Sequence, residues 1–316
     1  MGTHTISGHG LTATFLELGA ILRDLRLEGH DAPLVVGMAD DADYPEHSFY
    51  MGATAGRVAN RIGHARFVLD GTEHRTDANV AGVHTLHGGS EGTGKLPWEV
   101  RAATADAIRF GIVLADGHMG FPGRIEIEAL FRCEPGATLR VAYAAWADAP
   151  TVCNLAHHSY FALDGTGGLD AHVLRVDADR YVTVSEALIP DGVAPVEGTS
   201  LDFRAGRRLP GEGLLDHNLC LADARRALTE VAVLRSEASG VEMRLATTAP
   251  GLQVYDGAKL RSPRPGLLGH PNRAHAGVAL EPQLWPDAPN RPDFPSAVLR
   301  PGETYRQTST FAFSKG

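Results

Sequence analysis

The sequence predicts an all-β protein, a large antiparallel β-sandwich, from three observations. First, apolar residues alternate strictly with polar ones in several runs. These are Ile125-Glu126-Ile127-Glu128, Leu139 to Tyr143 with Leu139, Val141 and Tyr143 on one side, Val241 to Leu245, and Tyr305 to Phe313. That period of two is the signature of half-buried strands. Second, turn dipeptides punctuate the chain: Asp70-Gly71, Asp116-Gly117, Asp164-Gly165, Asp191-Gly192, Asp256-Gly257 and Pro301-Gly302. Third, helical periodicity is scarce. Gly211 to Ala227 offers short candidates, but none holds an i, i+3, i+4, i+7 face over three turns.

The chain is 316 residues long, which on size alone suggests about two domains. No Pro/Ser-rich linker divides it, and neither a βαβ rhythm nor a fixed-period repeat is present. The expectation is therefore one β-sandwich domain over residues 1–316 with Greek-key-like links. Ser262 to His275, rich in Pro, Gly and Arg, reads as a loop. The net charge of -9 and the absence of a Lys/Arg cluster argue against a nucleic-acid partner. Cys133, Cys153 and Cys220 are widely spaced and form no C-x-x-C pair, which argues against a disulfide framework or a thiolate metal site. The N-terminus has no basic-then-apolar leader, and no run of 18 apolar residues occurs. A soluble, cytoplasmic protein without a membrane partner is expected.

Polar patches interrupt the strand pattern. The centre of gravity is Thr151 to Leu163, where an apolar run gives way to His157, His158, Ser159 and Tyr160. Alternation sends His158 and Tyr160 to one face and His157 and Ser159 to the other. Such a donor-rich row marks either a satisfied polar cluster or a binding site. Asn60 and Arg61 follow the small-residue run Gly52 to Gly56; either Arg57 or Arg61 suits a structural ion pair, or a hydrogen-bonding fork for a ligand. His87 precedes Gly88 and Gly89, with His84 three residues earlier, so a two-His metal site has to be considered; no third ligand at metal spacing is evident. Asp216, His217 and Asn218 enter the apolar run at Leu219, and Glu281 ends the apolar run Val278 to Leu280. Burial there would raise the Glu281 carboxyl toward the range of a general base. Gln253 sits in a similar strand. Gly88 to Gly92 matches G-x-S-x-G in form, but no helical pattern follows it. P-loop and dinucleotide fingerprints are missing. The inventory of Asn, Arg, His, Asp, Gln and Glu suits a small polyhydroxylated ligand.

Taken in order, GATAGRVANRIG (52–63), LHGG (86–89), HSYFAL (158–163), LDHN (215–218), GLQVY (251–255), LEPQLWPDAPN (280–290) and FPSAVLRPGETY (294–305) resemble the aldose 1-epimerase (mutarotase) family. The resemblance runs through most of the chain. It implies a large β-sandwich of the galactose mutarotase-like supersandwich type and interconversion of the α and β anomers of a free aldose, without cofactor or metal. By resemblance His158 is the acid at the ring oxygen and Glu281 the base at the C1 hydroxyl. Asn60, Arg61, His87, Tyr160, Asp216 and Gln253 fall on sugar-binding positions, and a monomer or weak homodimer is permitted. One departure is His157, where the family usually has asparagine. Alternation turns it away from His158, whereas a bulge would bring it into the pocket.

Other readings start from the same residues. A sugar phosphate as substrate would need extra cations at the pocket mouth, for which Arg261, Arg264 and Arg273 are candidates. A carbohydrate-binding or sensory module would not need a paired acid and base. A glycosidase would want two carboxylates, formally Glu281 and Asp216, flanking the bond.

Overall fold

A computed structural model describes residues 1–210 and 215–316. The alternating runs become the strands of a nine-stranded antiparallel sheet. Its spatial order is Arg207–Arg208, His172–Val176, Thr229–Ser236, Val241–Thr247, Tyr305–Lys315, Thr138–Ala147, Ile125–Glu134, Ala107–Leu114 and Glu99–Ala103. The period of two does what it should: Leu139, Val141 and Tyr143 are buried, as are Val241, Met243 and Leu245 on the neighbouring hairpin. A six-stranded sheet runs Tyr160–Phe161, Val278–Gln283, Gly251–Tyr255, Asp216–Cys220, Arg180–Val184 and Pro190–Pro195. A third sheet is formed by Thr3–Gly8, Leu11–Leu16 and Ile21–Leu27.

The largest buried cluster draws on all three sheets: Phe15 and Leu22 from the third, Leu219, Leu252, Val254, Val278 and Leu280 from the six-stranded one, and Val141, Leu245 and Phe311 from the nine-stranded one. Apolar faces of facing sheets removed from water in this way are the main stabilising term of a β-sandwich. Among the described residues the one α-helix is Tyr44–His47, and no helix is long and apolar enough to cross a membrane.

Two expectations need correction. Thr151 to Leu163 is not one strand. It breaks into Thr151–Val152, Ala156–His157 and Tyr160–Phe161, which pair with Val298–Leu299, Thr54–Ala55 and Val278–Gln283 respectively. Asp191-Gly192 is not a turn either. Both residues lie inside Pro190–Pro195, where Gly192 pairs with Thr183 beside a register shift; glycine in a strand is a common companion of a bulge. The loop expected over Ser262 to His275 is present, closed on itself by a bridge between Pro265 and Pro271 and joined to Met38 through Gly266. Of the helical candidates at Gly211 to Ala227, residues 211–214 lie outside the described residues. The remainder supplies the strand Asp216–Cys220 and irregular chain.

Candidate active site

The six-stranded sheet buries one face and presents the other to a cavity, and parity decides which side chains do which. Leu219, Leu252, Val254, Val278 and Leu280 go to the core. The residues between them, Asp216, Gln253, Tyr255, Ala279 and Glu281, take the opposite face. Register then brings them side by side: Glu281 is opposite Gln253, Gln253 opposite Asn218, and Tyr255 opposite Asp216. Tyr160 joins the row opposite Ala279.

The second wall comes from loops. Asn60 and His87 hold each other through one backbone–backbone and one backbone–imidazole hydrogen bond. The His87 N–H donates to the Asn60 carbonyl at 3.0 Å, and the Asn60 N–H donates to His87 Nδ1 at 3.2 Å. Both residues have positive φ, +62° and +50°, a region that L-residues enter only where surroundings compel it. Gly88 makes the approach possible, because at its φ of +84° a Cβ would lie 2.0 Å from the Gly56 carbonyl oxygen.

Together these elements enclose a cavity of about 330 Å³ lined by Asn60, Arg61, His87, His158, Tyr160, Asp216 and Glu281, with Phe49, Tyr50, Tyr255 and Lys259 among the remaining walls. That volume falls in the range of small-molecule sites. Seven of the eight site residues expected from the sequence line it. Gln253, on the same sheet face between Glu281 and Asn218, is buried, and its Nε2 donates to Asp216 Oδ1 at 2.6 Å. Asp216 also faces Arg61, with Nη2 to Oδ2 at 3.7 Å. Arg61, rather than Arg57, is therefore the ion-paired arginine. Arg57 is buried and donates through Nη1 to the carbonyls of Pro122 and Gly123, at 3.0 and 2.9 Å.

His158 Nε2 lies 3.5 Å from Glu281 Oε1, with both side chains buried. Burial pushes the Glu281 carboxyl well above its usual range, Asp216 raises it further, and Arg61 opposes both. Burial lowers the His158 imidazole to about 4. Burial thus acts on both groups in the direction that favours a shared proton on the carboxyl side.

His157 points the other way. Its Nε2 is 2.8 Å from Ser159 Oγ, and its ring packs against Phe131 and Phe311 at 5.9 and 5.8 Å. The alternation expected for this segment holds locally even though the strand is broken.

The pairing of His84 with His87 considered for a metal is not formed. His84 Nδ1 accepts the His64 N–H at 3.0 Å, away from the cavity. The structure instead brings together His87, His158 and Glu281, whose candidate ligand atoms lie within 4.8 Å of one another. The donor set fits a metal poorly. With Nδ1 of His87 accepting from Asn60, the proton of the neutral ring sits on Nε2, which leaves a donor rather than a lone pair.

The family model described as Aldose 1-epimerase matches residues 3–312. The chain belongs to the aldose 1-epimerase family. This family member is an isomerase, and its curated relatives agree. It is 39% identical over 296 residues to the galactose mutarotase of Rattus norvegicus, covering 91% of this chain and 85% of that one. It is 33% identical over 321 residues to the aldose 1-epimerase of Escherichia coli (strain K12), covering 96% and 92%. Among solved structures, the GalM/aldose epimerase homologue from C. elegans superposes with a TM-score of 0.92 at 31% identity, covering 99% of both chains.

Sequence reading alone did not find Phe49, Tyr50, Tyr255 and Lys259 in the epimerase cavity. Tyr255 was recoverable, since it shares its face with Gln253. Phe49 and Tyr50 precede the apolar Met51 and carry no periodic signal. Arg261, Arg264 and Arg273 do not line the cavity; Arg264 faces Asp43 at 3.4 Å and Arg273 donates to the Gly167 carbonyl at 3.4 Å.

Proposed function

We propose that this chain interconverts the α and β anomers of a free aldohexose such as galactose or glucose, with Glu281 as the base at O1 and His158 as the acid at the ring oxygen. The observation that carries the reading is the 3.5 Å contact between His158 and Glu281 in a cavity that Asn60, Arg61, His87, Tyr160 and Asp216 also line. The names of the curated relatives point to the same reaction.

Ring opening moves a proton from O1 to the carboxylate while the imidazolium gives one to O5. The C1–O5 bond breaks, and C1 becomes a carbonyl. Rotation about C1–C2 then presents the other face, and the same groups close the ring in reverse. The pair carries one proton throughout, so no net charge is created in the buried site. Burial favours the proton on Glu281, which is the arrangement of the ring-opened complex. Arg61 opposes this at Glu281, while Asp216 raises both partners. Asn60, Arg61, His87, Tyr160, Asp216 and Gln253 are proposed to hold the sugar hydroxyls, Gln253 also donating to Asp216. Such groups are costly to leave unpaired when a hydroxyl is missing or inverted.

The large buried cluster shared by all three sheets supports reading residues 1–316 as one domain. The three buried free cysteines support a reducing, cytoplasmic setting. We further propose a monomer or weak homodimer with no nucleic-acid or membrane partner.

The test follows the optical rotation of freshly dissolved α-D-galactose and α-D-glucose. Wild type should accelerate the change, and Glu281→Gln and His158→Asn should each lose roughly 10²–10⁴-fold. Folded wild type with no effect on either sugar would overturn the reading. Activity surviving in His158→Asn would move the acid role to His87, since the ring of His157 is walled off by Phe131 and Phe311.

A further inference from the structure

An imidazole that moves protons is ordinarily oriented by a hydrogen bond at its other ring nitrogen. His87 has such an anchor in the Asn60 N–H. His158 has no such anchor from another residue: Nε2 faces Glu281, and the buried Nδ1 finds nothing beyond its own backbone carbonyl. Packing must therefore help to set its ring plane. Its aromatic neighbours are Tyr50, with centroids 5.9 Å apart and planes 27° apart, Tyr160 at 5.1 Å and 45°, and His87 at 5.2 Å and 72°. Tyr50 is the most nearly parallel of these. It also reaches His87, at 4.6 Å.

We propose that Tyr50 is a positioning residue for the His158–Glu281 pair, its ring helping to fix the His158 plane where no other residue anchors Nδ1. The inference rests on the roles given to that pair above.

Backbone contacts hold Tyr50 in register with His158. The Gly52 N–H donates to the His158 carbonyl at 3.0 Å, and the His158 N–H donates to the Ala53 carbonyl at 2.9 Å. Tyr160 Oη donates to the Phe49 carbonyl at 3.4 Å. Phe49 and Tyr50 both sit at positive φ, +47° and +62°. Two consecutive non-glycine residues in that sparsely populated region imply a segment held by its surroundings. The Lys95 ammonium lies 5.4 Å from the Tyr50 ring centroid, an added cation–π contact. Burial pushes the Tyr50 hydroxyl up to about 12, which makes it a poor proton carrier near neutrality and leaves the ring as the functional part.

Tyr50→Phe and Tyr50→Leu separate ring from hydroxyl. The Phe variant should keep kcat within about twofold, because the plane remains. The Leu variant should lose about 10- to 100-fold in kcat with KM changed less than about threefold, as expected for a misaligned rather than an absent group. Tyr50→Met, which fills irregular space without a ring, should match Leu and serves if Leu melts below the assay temperature. A ringless variant that folds and keeps kcat within about twofold, or a Phe variant as impaired as Leu, overturns the inference. Wild type without activity, or an active His158→Asn, instead overturns the reading on which it rests.

Discussion

At the scale of single residues, His157 shows how a buried titratable group acts on stability without entering the chemistry. Burial beside aromatic rings lowers it from 6.5 to about 3, so the folded chain holds it neutral where the unfolded chain would protonate it. A group with a depressed folded pKa contributes stability that is fully present above its unfolded value and is lost as pH falls through the folded one. The window here runs from about pH 6.5 down to about pH 3, with up to about 1.4 kcal/mol lost per pH unit while the group is out of balance. His157→Asn should therefore unfold less steeply with acid than wild type. Denaturant midpoints at pH 7 and pH 4.5 measure this. The comparison is between pH slopes, since the change in packing against Phe131 and Phe311 shifts both midpoints together. Equal slopes in the two proteins would show that His157 is not the group responsible.

At the scale of elements, the site is a strand face meeting a loop wall, and glycine controls the meeting. Gly88 lets the chain after His87 pass over Gly56. Gly88→Ala must relieve both a 2.0 Å approach to the Gly56 oxygen and a φ of +84°. A methyl group there should cost roughly 2–5 kcal/mol and displace His87 from the cavity. Thermal melting and kcat/KM should both fall, and an Ala variant with wild-type values of each would contradict this account. The same elements show what the sequence made legible. Strand existence and face were readable wherever alternation ran for four or more residues, as at Ile125 to Glu128, because one face is buried and the other reaches solvent. The pairing of two-residue pieces such as Ala156–His157 was not, because a pair of residues has no period. Asp191-Gly192 misled for a related reason, since a glycine at a bulge and a glycine in a turn look alike in sequence. Motif resemblance supplied the site residues, but only register could reveal that Gln253 stands opposite Glu281 and donates to Asp216. Tyr50 stayed hidden because its role comes from a left-handed loop facing His158.

At the scale of the whole molecule, the nine-stranded sheet does more than cover the core; it also ties together the two segments that carry His158 and Glu281. Gln307, buried in the long strand Tyr305–Lys315, donates through Nε2 to the carbonyls of Leu155 and Pro282, at 3.0 and 2.9 Å. Tyr305 Oη donates to Gln307 Oε1 at 2.9 Å and accepts the Leu155 N–H at 3.0 Å. One amide thus bridges the segment leading to His158 and the residue following Glu281, and it does so from the opposite layer. Gln307→Leu substitutes an apolar side chain of comparable bulk and leaves two buried carbonyls without that donor, each worth about 1–3 kcal/mol when unsatisfied. The variant should lose about 2–5 kcal/mol by urea denaturation, with the midpoint lowered and the slope unchanged. Its kcat should fall by more than its KM rises, because the Glu281 and His158 segments lose their common support while the loop wall around Asn60 and His87 keeps its own. A midpoint within experimental error of wild type would mean that neighbouring groups re-satisfy both carbonyls. A KM effect alone would mean that the bridge shapes the cavity without aligning the pair.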